Sequence, residues 1–278
     1  METGKNSSEF IPLFDKREAQ KCHLALCIYD DSIRIGISHL VSKRHLYLKE
    51  FKINSWQNDL EPFFEFEFEK AHFKRVSACA MNSKNLVVPT ALFDDSTIEN
   101  VYGLSFKQKR GQKLLFEKIK ILNAFNVYPK IKGLEEGLIS SFKNFKNTHY
   151  YSIILESLSR ETKNSEEDRM YIHFNSSSFD LFIFSRDKLQ LSNNFQFRNA
   201  EDMIYYILNA LEHLDISRDK CPVFLMGEIE NNDNSFLALR NYFSELIFMK
   251  SDPKYSFGEV SIENPHKDYV LFNQVVCG

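Results

Sequence analysis

One pattern of short apolar segments occurs twice in this chain of 278 residues and restricts the folds open to it. Each copy is typical of three strands, a helix and one further strand, and the copies are offset by roughly 145 residues. The residues of the two copies are barely alike, so the repeat is one of structure rather than of sequence. The pattern predicts an α/β protein built from two similar halves.

The first copy begins with three apolar segments separated by polar turns, "CHLALCIYDD", "SIRIGISHLV" and "HLYLKEFKI", between Cys22 and Ile53. They predict a three-stranded meander. The next segment, Asn58 to Phe73, starts with an Asn-Asp cap and has Pro62 within its first turn, which favours a helix. Its alternating Phe and Glu residues also fit a strand. Arg75 to Met81, "RVSACAM", is predicted to be a short buried strand.

The second copy has the same order. "DRMYIHFN", "SFDLFIFS" and "KLQLSNNFQF" predict three strands, and Asn199 to Leu214 predicts a helix. Asn199 is the expected N-cap with Asp202 at the third helical position, and Met203, Ile207 and Leu211 share an apolar face. Cys221 to Gly227, "CPVFLMG", is the predicted closing strand.

Two more elements are predicted after the second copy. Ser235 to Phe248 places Phe236, Leu239, Phe243 and Leu246 at helical spacing, and "DYVLFNQVV" near the end of the chain predicts a final strand. The charged linker "SRETKNSEEDR", Ser159 to Arg169, marks a boundary after a mixed region, 91–161. The expected organisation is a polar tail at 1–20, a first half at 21–165 and a second half at 166–278.

Composition narrows the classes of partner. The net charge of −3 supplies no overall field to attract nucleic acid or an anionic membrane, so neither is expected as a partner. The basic run 106–113 is expected to be a solvated loop. The polar start "METGKNSSEF", the lack of a long apolar stretch and an odd count of five cysteines indicate a cytoplasmic protein with reduced thiols.

Three segments resemble a known family. "LVVPTALFDD", "FRNAEDMIYYILNALEHL" followed by "VFLMGEI", and the ending "ENPHKDYVLFNQVVCG" are similar to a bacterial family known as a domain of unknown function. The resemblance covers the chain from about Leu24 onward. It implies an actin-like ATPase fold of two ribonuclease H-like halves, each a mixed β-sheet flanked by helices. It implies no established activity.

Nucleotide-binding proteins of the actin-like superfamily carry an acidic residue and glycine at the first turn of each half. Glycine lets main-chain N–H groups approach phosphate oxygens, and carboxylates position Mg²⁺. Here the first turn offers Asp30, Asp31 and Ser32 before any glycine, and the second offers only Asn175, Ser176, Ser177 and Ser178. Gly227 stands alone at the expected adenosine edge and is followed by Glu228. These eight residues are the candidate nucleotide contacts, and a phosphate cradle is not expected.

The sequence gives weaker indications of other catalytic chemistry than of the actin-like fold. No common phosphate-loop, nucleophile-elbow or zinc-protease motif occurs in the sequence. A ribonuclease H-like nuclease would need converging carboxylates, for which Asp30, Asp31 and Asp180 qualify by type. Asp180 could instead face solvent on an exposed sheet edge, because side chains alternate across a strand. Asn175 to Ser178 are expected to form a hairpin turn whose side chains bond their own backbone.

The leading hypothesis is therefore a non-catalytic relative of actin-like ATPases that binds another protein or associates with itself, without a cofactor or metal. The alternative is a divergent ATP-dependent enzyme or switch that uses Asp30, Asp31 and Ser32 at one phosphate position and Asn175 to Ser178 at the other.

Overall fold

A computed structural model describes residues 14–29, 31–52, 68, 71–108, 111–131, 138, 142, 145–258 and 262–277. The chain divides into two compact units. The first comprises Met1–Ile154, Asp252–Glu263 and Val270–Gly278, and the second comprises Leu155–Ser251 and Asn264–Tyr269. This division differs from the predicted halves, because two segments near the C-terminus group with the first unit. Within the predicted polar tail, Lys16–Lys21 forms a 3-10 helix capped by Asp15.

The described residues contain thirteen strands and five α-helices. The strands are β1 Cys22–Ile28, β2 Ser32–His39, β3 Arg44–Lys52, β4 Arg75–Ala80, β5 Leu86–Pro89, β6 Leu114–Ile119, β7 Ala124–Pro129, β8 Lys146–His149, β9 Asp168–Phe174, β10 Ser178–Ser185, β11 Lys188–Gln196, β12 Val223–Gly227 and β13 Leu246–Phe248. The helices are α1 Ile98–Ser105, α2 Tyr150–Glu161, α3 Ala200–His213, α4 Asn234–Tyr242 and α5 Tyr269–Asn273.

The first unit is built on a five-stranded mixed sheet in the order β3-β2-β1-β4-β8. Strands β1, β2 and β3 form the antiparallel meander that the sequence predicts, and β4 and β8 continue the sheet in parallel with β1. Alternate apolar residues of β1 and β2, such as Leu24, Leu26 and Ile35, are fully buried in its core. The predicted helix Asn58 to Phe73 lies almost wholly outside the described residues.

The second unit repeats this sheet in the order β11-β10-β9-β12-β13. Its three antiparallel strands and the parallel β12 confirm the predicted second copy. The repeat extends to a detail: the second strand of each sheet has a register irregularity after its sixth residue, Ile37 in β2 and Ile183 in β10. The predicted α/β class with two sheet-bearing halves is confirmed.

Helix α3 begins where the sequence predicts. The Asn199 side chain accepts a hydrogen bond from the Asp202 backbone N–H at 2.8 Å, and Asn199 itself has extended backbone angles. Such a cap satisfies one of the N–H groups that have no partner within a helix. Met203, Ile207 and Leu211 form the buried face against the second sheet.

A small sheet in the first unit is absent from the sequence-based prediction, which leaves residues 91–161 as a mixed region. Strands β5, β7 and β6 pair antiparallel, and α1 packs on one face through Ile98 and Tyr102. Helix α2 follows β8 at the end of this region. The strands are four to six residues long, and such short apolar runs are ambiguous between helix and strand.

Two predicted elements near the C-terminus are wrong in whole or part. The helix expected over Ser235 to Phe248 ends at Tyr242, and Leu246–Phe248 instead forms β13 beside β12. The final strand expected in "DYVLFNQVV" is the helix α5, preceded by a 3-10 turn that starts at Pro265. Val270, Leu271 and Phe272 are all buried, so this apolar run is covered on every side and does not show the alternation of a half-buried strand.

All five cysteines are free and buried. Burial raises the pKa of the Cys22 thiol to about 11 and that of Cys221 to about 12, so both stay protonated and unreactive near neutral pH. Of the helices described, none has the length and apolar composition needed to cross a membrane.

Candidate functional site

The first predicted phosphate position is the turn between β1 and β2. Tyr29 N–H donates to the Ser32 carbonyl at 2.9 Å and closes the turn. Asp30 lies outside the described residues. The exposed Asp31 carboxylate is 3.3 Å from Lys52 Nζ, and Ser32 is buried at the start of β2. The Asp31 carboxylate at this turn therefore pairs with Lys52, a cation of the chain itself.

Directly beyond this turn, Arg34 occupies the third position of β2. Its Nε lies 3.5 Å from Glu50 Oε2 on β3, and its guanidinium lies 5.3 Å from the centre of the Tyr29 ring. Both partners of the ion pair retain some exposure, with 14% of the Arg34 side chain and 26% of the Glu50 side chain accessible. The positive group beside the first turn, the Arg34 guanidinium, is therefore already paired with Glu50.

The second predicted position, between β9 and β10, is a hairpin turn as expected. Asn175 N–H donates to the Ser178 carbonyl at 2.9 Å, and Ser176 and Ser177 are exposed at the tip. The expectation that its side chains bond their own backbone is wrong for the two outer residues. Asn175 Nδ2 donates to Asp180 Oδ2 at 3.1 Å, and Ser178 Oγ accepts from Asn194 Nδ2 at 3.3 Å.

Asp180 is the centre of this arrangement, and the alternative that it faces solvent at a sheet edge is wrong. It is fully buried, because β10 lies between β9 and β11 and is not an edge strand. Its Oδ1 accepts from Asn194 Nδ2 at 2.7 Å, and its Oδ2 lies 3.0 Å from His173 Nδ1. Neither His173 nor Asn194 was assigned this contact from the sequence. The strand-pairing register is the feature that indicates both contacts, because it places His173 and Asn194 directly opposite Asp180.

Gly227 ends β12 beside the second turn. It pairs with Phe174, the residue before Asn175, and has a φ of +82°. A Cβ at this position would lie 2.2 Å from the Phe174 carbonyl oxygen, which accepts a hydrogen bond from Glu228 N–H at 2.9 Å. The close passage of two strands therefore accounts for this glycine without a bound ligand.

Within each unit, the described candidate residues lie close to one another. The second unit brings Gly227 next to the turn Asn175–Ser178, and the first brings Asp31 next to Ser32. Among the described residues, no group of three or more His, Cys, Asp or Glu side chains is placed to hold a metal ion. In the basic run, Gln108 Nε2 donates to the Glu99 carbonyl at 2.9 Å, and residues 109 and 110 lie outside the described residues.

Comparison with solved structures shows that the protein has an actin-like ATPase fold. A Bacteroides thetaiotaomicron protein of that fold and of unknown function superposes with a TM-score of 0.80 at 17% identity, over 96% of this chain and 100% of that one. A chain of the PilM-PilN type IV pilus biogenesis complex gives a TM-score of 0.63 at 11% identity, over 91% and 97% of the two chains.

The chain belongs to the family described as protein of unknown function (DUF3822), which matches residues 11–246. The family suggested by the sequence motifs is confirmed. No curated protein is significantly similar to the chain.

Proposed function

We propose that this protein is a non-catalytic member of the actin-like fold that works in the cytoplasm by binding another protein, with self-association as the second form of the same activity. The proposal has two parts. One concerns what the turns do not offer a nucleotide, and the other concerns a surface that a partner would cover.

The observation that carries the first part is the buried Asp180 beneath the second turn. A phosphate-binding turn needs donors that point outward and an environment that favours negative charge. Here the side-chain amide of Asn175 donates inward to the Asp180 carboxyl and so does not point toward an anion at Ser176 and Ser177. At the first turn, Asp31 is engaged by Lys52. Neither turn has a glycine.

The second part rests on an apolar patch at one end of the small sheet. Phe93, Phe116 and Phe125 contact each other, with ring centres 3.9 to 6.1 Å apart, and 41% of Phe116 is exposed. Leu92 and Ile121, which are 72% and 42% exposed, lie on two adjacent 3-10 turns. A hydrogen bond of 2.9 Å from Thr90 N–H to the Asn123 carbonyl joins these turns.

This outer patch, defined by Leu92, Phe93, Phe116, Ile121 and Phe125, favours a protein partner. Aromatic residues, Phe among them, are enriched at protein interfaces relative to the rest of the surface, and contiguous exposed apolar patches mark interaction sites. The fold is compatible with such a role, since a structure of similar fold is a PilM-PilN complex. The buried free cysteines are compatible with a reducing compartment.

Thermal unfolding with and without Mg-ATP tests the first part. A ligand at about 100 times its dissociation constant adds roughly 2.7 kcal/mol to the free energy of unfolding and raises the midpoint by several degrees. We expect no rise at millimolar Mg-ATP, Mg-ADP or Mg-GTP. A reproducible rise with one of them would instead support the divergent ATPase.

A matched pair of variants tests the second part. Phe116→Asp places a charge in the outer patch, whereas Tyr205→Asp places one on an exposed aromatic residue of α3, 65% exposed. We expect cross-linked partners from the native cell, or the dimer fraction in light scattering, to be lost with Phe116→Asp and kept with Tyr205→Asp. Equal behaviour of the two variants would remove the patch as the interface.

A further inference from the structure

A second polar site lies in the first unit, at the N-terminal ends of its parallel strands. A pocket of about 440 Å³ opens there on one face of the sheet. Register places His23 of β1 opposite Arg75 of β4, and Ser77 of β4 opposite Lys146 of β8. Since paired residues project from the same face, these four side chains share the pocket wall.

The lining of this pocket is positively charged. Lys74, Arg75 and Lys146 line it, and the described lining residues include no carboxyl group. Arg75 Nη1 donates to the Val275 carbonyl at 3.4 Å and Lys146 Nζ to the Cys277 carbonyl at 3.1 Å, acceptors without formal charge. Lys146 also interacts electrostatically with the Glu117 carboxyl. The lining residue Thr148 donates to an acid, Glu117, at 2.8 Å, and burial raises the pKa of that carboxyl.

The protons around His23 can be assigned from its neighbours. Gln274 Nε2 donates to the Leu26 carbonyl at 3.2 Å, which turns the Gln274 Oε1 toward Ser77. Ser77 Oγ donates its proton to that oxygen at 2.6 Å, so it must accept from His23 Nε2, 2.8 Å away. Burial, with help from Arg75 and Lys146, lowers the pKa of His23 to about 3, so the ring is neutral.

His23 Nδ1 is consequently a bare hydrogen-bond acceptor. The residue is only 1% exposed, and this nitrogen has no partner among the described residues. A buried acceptor without a partner is unfavourable, and a donor on a ligand would satisfy it. The lining of the pocket therefore includes three cations, which attract an anion, and a histidine whose Nδ1 needs a proton donor.

We propose that this pocket binds a protonated phosphate group, of which monohydrogen phosphate is the simplest form. Its oxygens accept from Arg75 and the two lysines, and its P–OH donates to His23 Nδ1. Sulfate and carboxylates are fully deprotonated at neutral pH and have no such donor. The pocket is larger than inorganic phosphate and falls in the size range of sites for small organic ligands, so the phosphate of a larger molecule also fits.

Isothermal titration calorimetry of the full chain in a phosphate-free buffer tests this site. At pH 7.5 and constant ionic strength, we expect sodium phosphate to bind and sodium sulfate to bind at least about tenfold more weakly, the scale of one hydrogen bond to a charged group. Equal affinity for the two anions, or no heat with phosphate, would overturn the proposal.

Variants locate the binding. Lys146→Met removes an exposed cation of the pocket, so folding should persist, and it should weaken phosphate binding at least about tenfold. Lys188→Met removes an exposed cation of β11 in the other unit and should change nothing. His23→Gln keeps a donor toward Ser77 and should abolish the preference for phosphate over sulfate. Equal losses in the two lysine variants, or a crystal structure with the pocket filled by the chain's own atoms, would contradict the site.

A phosphate monoester distinguishes the sources of the group. Its second pKa is about 6, so glycerol phosphate keeps a P–OH at pH 5.5 and loses it at pH 8. Tighter binding of the monoester at the lower pH indicates the phosphate of a larger molecule, and binding of inorganic phosphate alone at both pH values indicates the free ion. Either result supports the site, whereas stronger monoester binding at pH 8 than at pH 5.5 contradicts the P–OH donor.

Discussion

The two five-stranded sheets share one backbone plan and differ in the charge that each places under its first turn. Strands β1, β2 and β3 have the same lengths as β9, β10 and β11, so residues can be matched by position. Arg34 matches Asp180, and their partners across the sheet, Glu50 and Asn194, also match. The turn residues that they contact, Tyr29 and Asn175, match as well.

One position of this scaffold can therefore hold a cation, as Arg34 does in the first unit, or a carboxyl group, as Asp180 does in the second. In the first unit the polar group is a partly exposed ion pair, and the unit's larger polar site lies at the other end of its parallel strands, around His23. In the second unit the polar group is buried at the turn itself. The two turns therefore differ from each other in both the charge and the burial of the side chain beneath them.

The largest expected effect on stability comes from replacing Asp180, the buried member of the matched pair Arg34 and Asp180. Asp180→Ala removes a fully buried carboxyl group that accepts from the partly buried amides of Asn175 and Asn194, and it should lower the free energy of unfolding by about 3 kcal/mol. Urea denaturation measures the loss. Asp187→Ala, at the exposed turn after β10, is the control and should change stability by less than about 0.5 kcal/mol. A loss as small as that of the control would mean that Asp180 does not organise the second turn.

A second comparison concerns the end of the fourth strand. Gly227 pairs with Phe174 where Ala80 pairs with Ile28 in the first sheet, and the next residue donates to the matching carbonyl in both. Because only Gly227 has a positive φ and no room for a Cβ, Gly227→Ala should lower the free energy of unfolding by about 2 kcal/mol or more.

The control for that change is Gly103→Ala in α1, where a Cβ would meet nothing within 4 Å. It should raise stability by roughly 0.5–1 kcal/mol, since alanine favours a helix. Chemical denaturation of both variants distinguishes the close strand passage from a general effect of replacing glycine. Tolerance of alanine at Gly227 would leave a ligand as the reason for the glycine.

The two sheets should differ in how acid affects their stability, because His45 in β3 has Leu189 at the matching position of β11. His45 is packed among Tyr255, Phe257 and Phe272, with ring centres 4.3 to 5.4 Å away, and burial lowers its pKa from 6.5 to about 3. Below pH 6.5 the unfolded chain binds a proton here that the folded chain does not, so stability falls as pH falls from 6.5 toward 3. At pH 5 this residue should account for a loss of about 2 kcal/mol relative to pH 7.5.

The variant His45→Leu puts the residue of the second sheet into the first and should remove that part of the acid sensitivity. The free energies of unfolding of both proteins, measured in urea at pH 7.5 and pH 5, give the comparison. If both lose the same free energy between these values, His45 is not kept neutral by burial.

The smallest effect is expected at the ion pair of the first sheet. Arg34→Gln should lower the free energy of unfolding by only about 1 kcal/mol, because both partners retain solvent and the Nε to Oε2 distance is 3.5 Å. Urea denaturation beside Asp180→Ala tests the ranking. A loss in Arg34→Gln that equals the loss in Asp180→Ala would show that the two positions are energetically equivalent despite their different burial.

Much of the fold could be predicted from local patterns. The six strands of the two meanders alternate or run apolar over seven to nine residues, and α3 has a cap, an acidic first turn and one apolar face, so each carries its own signal. The candidate turns follow from those strands. The environment of Asp180 does not, since the order of the strands leaves open the pairing register that places His173 and Asn194 opposite it.

The sequence alone therefore determined the duplicated order of strands and the α3 helix, because backbone propensity and side-chain period act over neighbouring residues. Contacts between distant residues, by contrast, make Tyr269–Asn273 a helix, add Leu246–Phe248 to the sheet beside β12, and bring His23 close to Arg75 and Gln274. Each of these depends on residues distant in the chain, whose burial and hydrogen bonds outweigh the weak local preference of a short apolar segment.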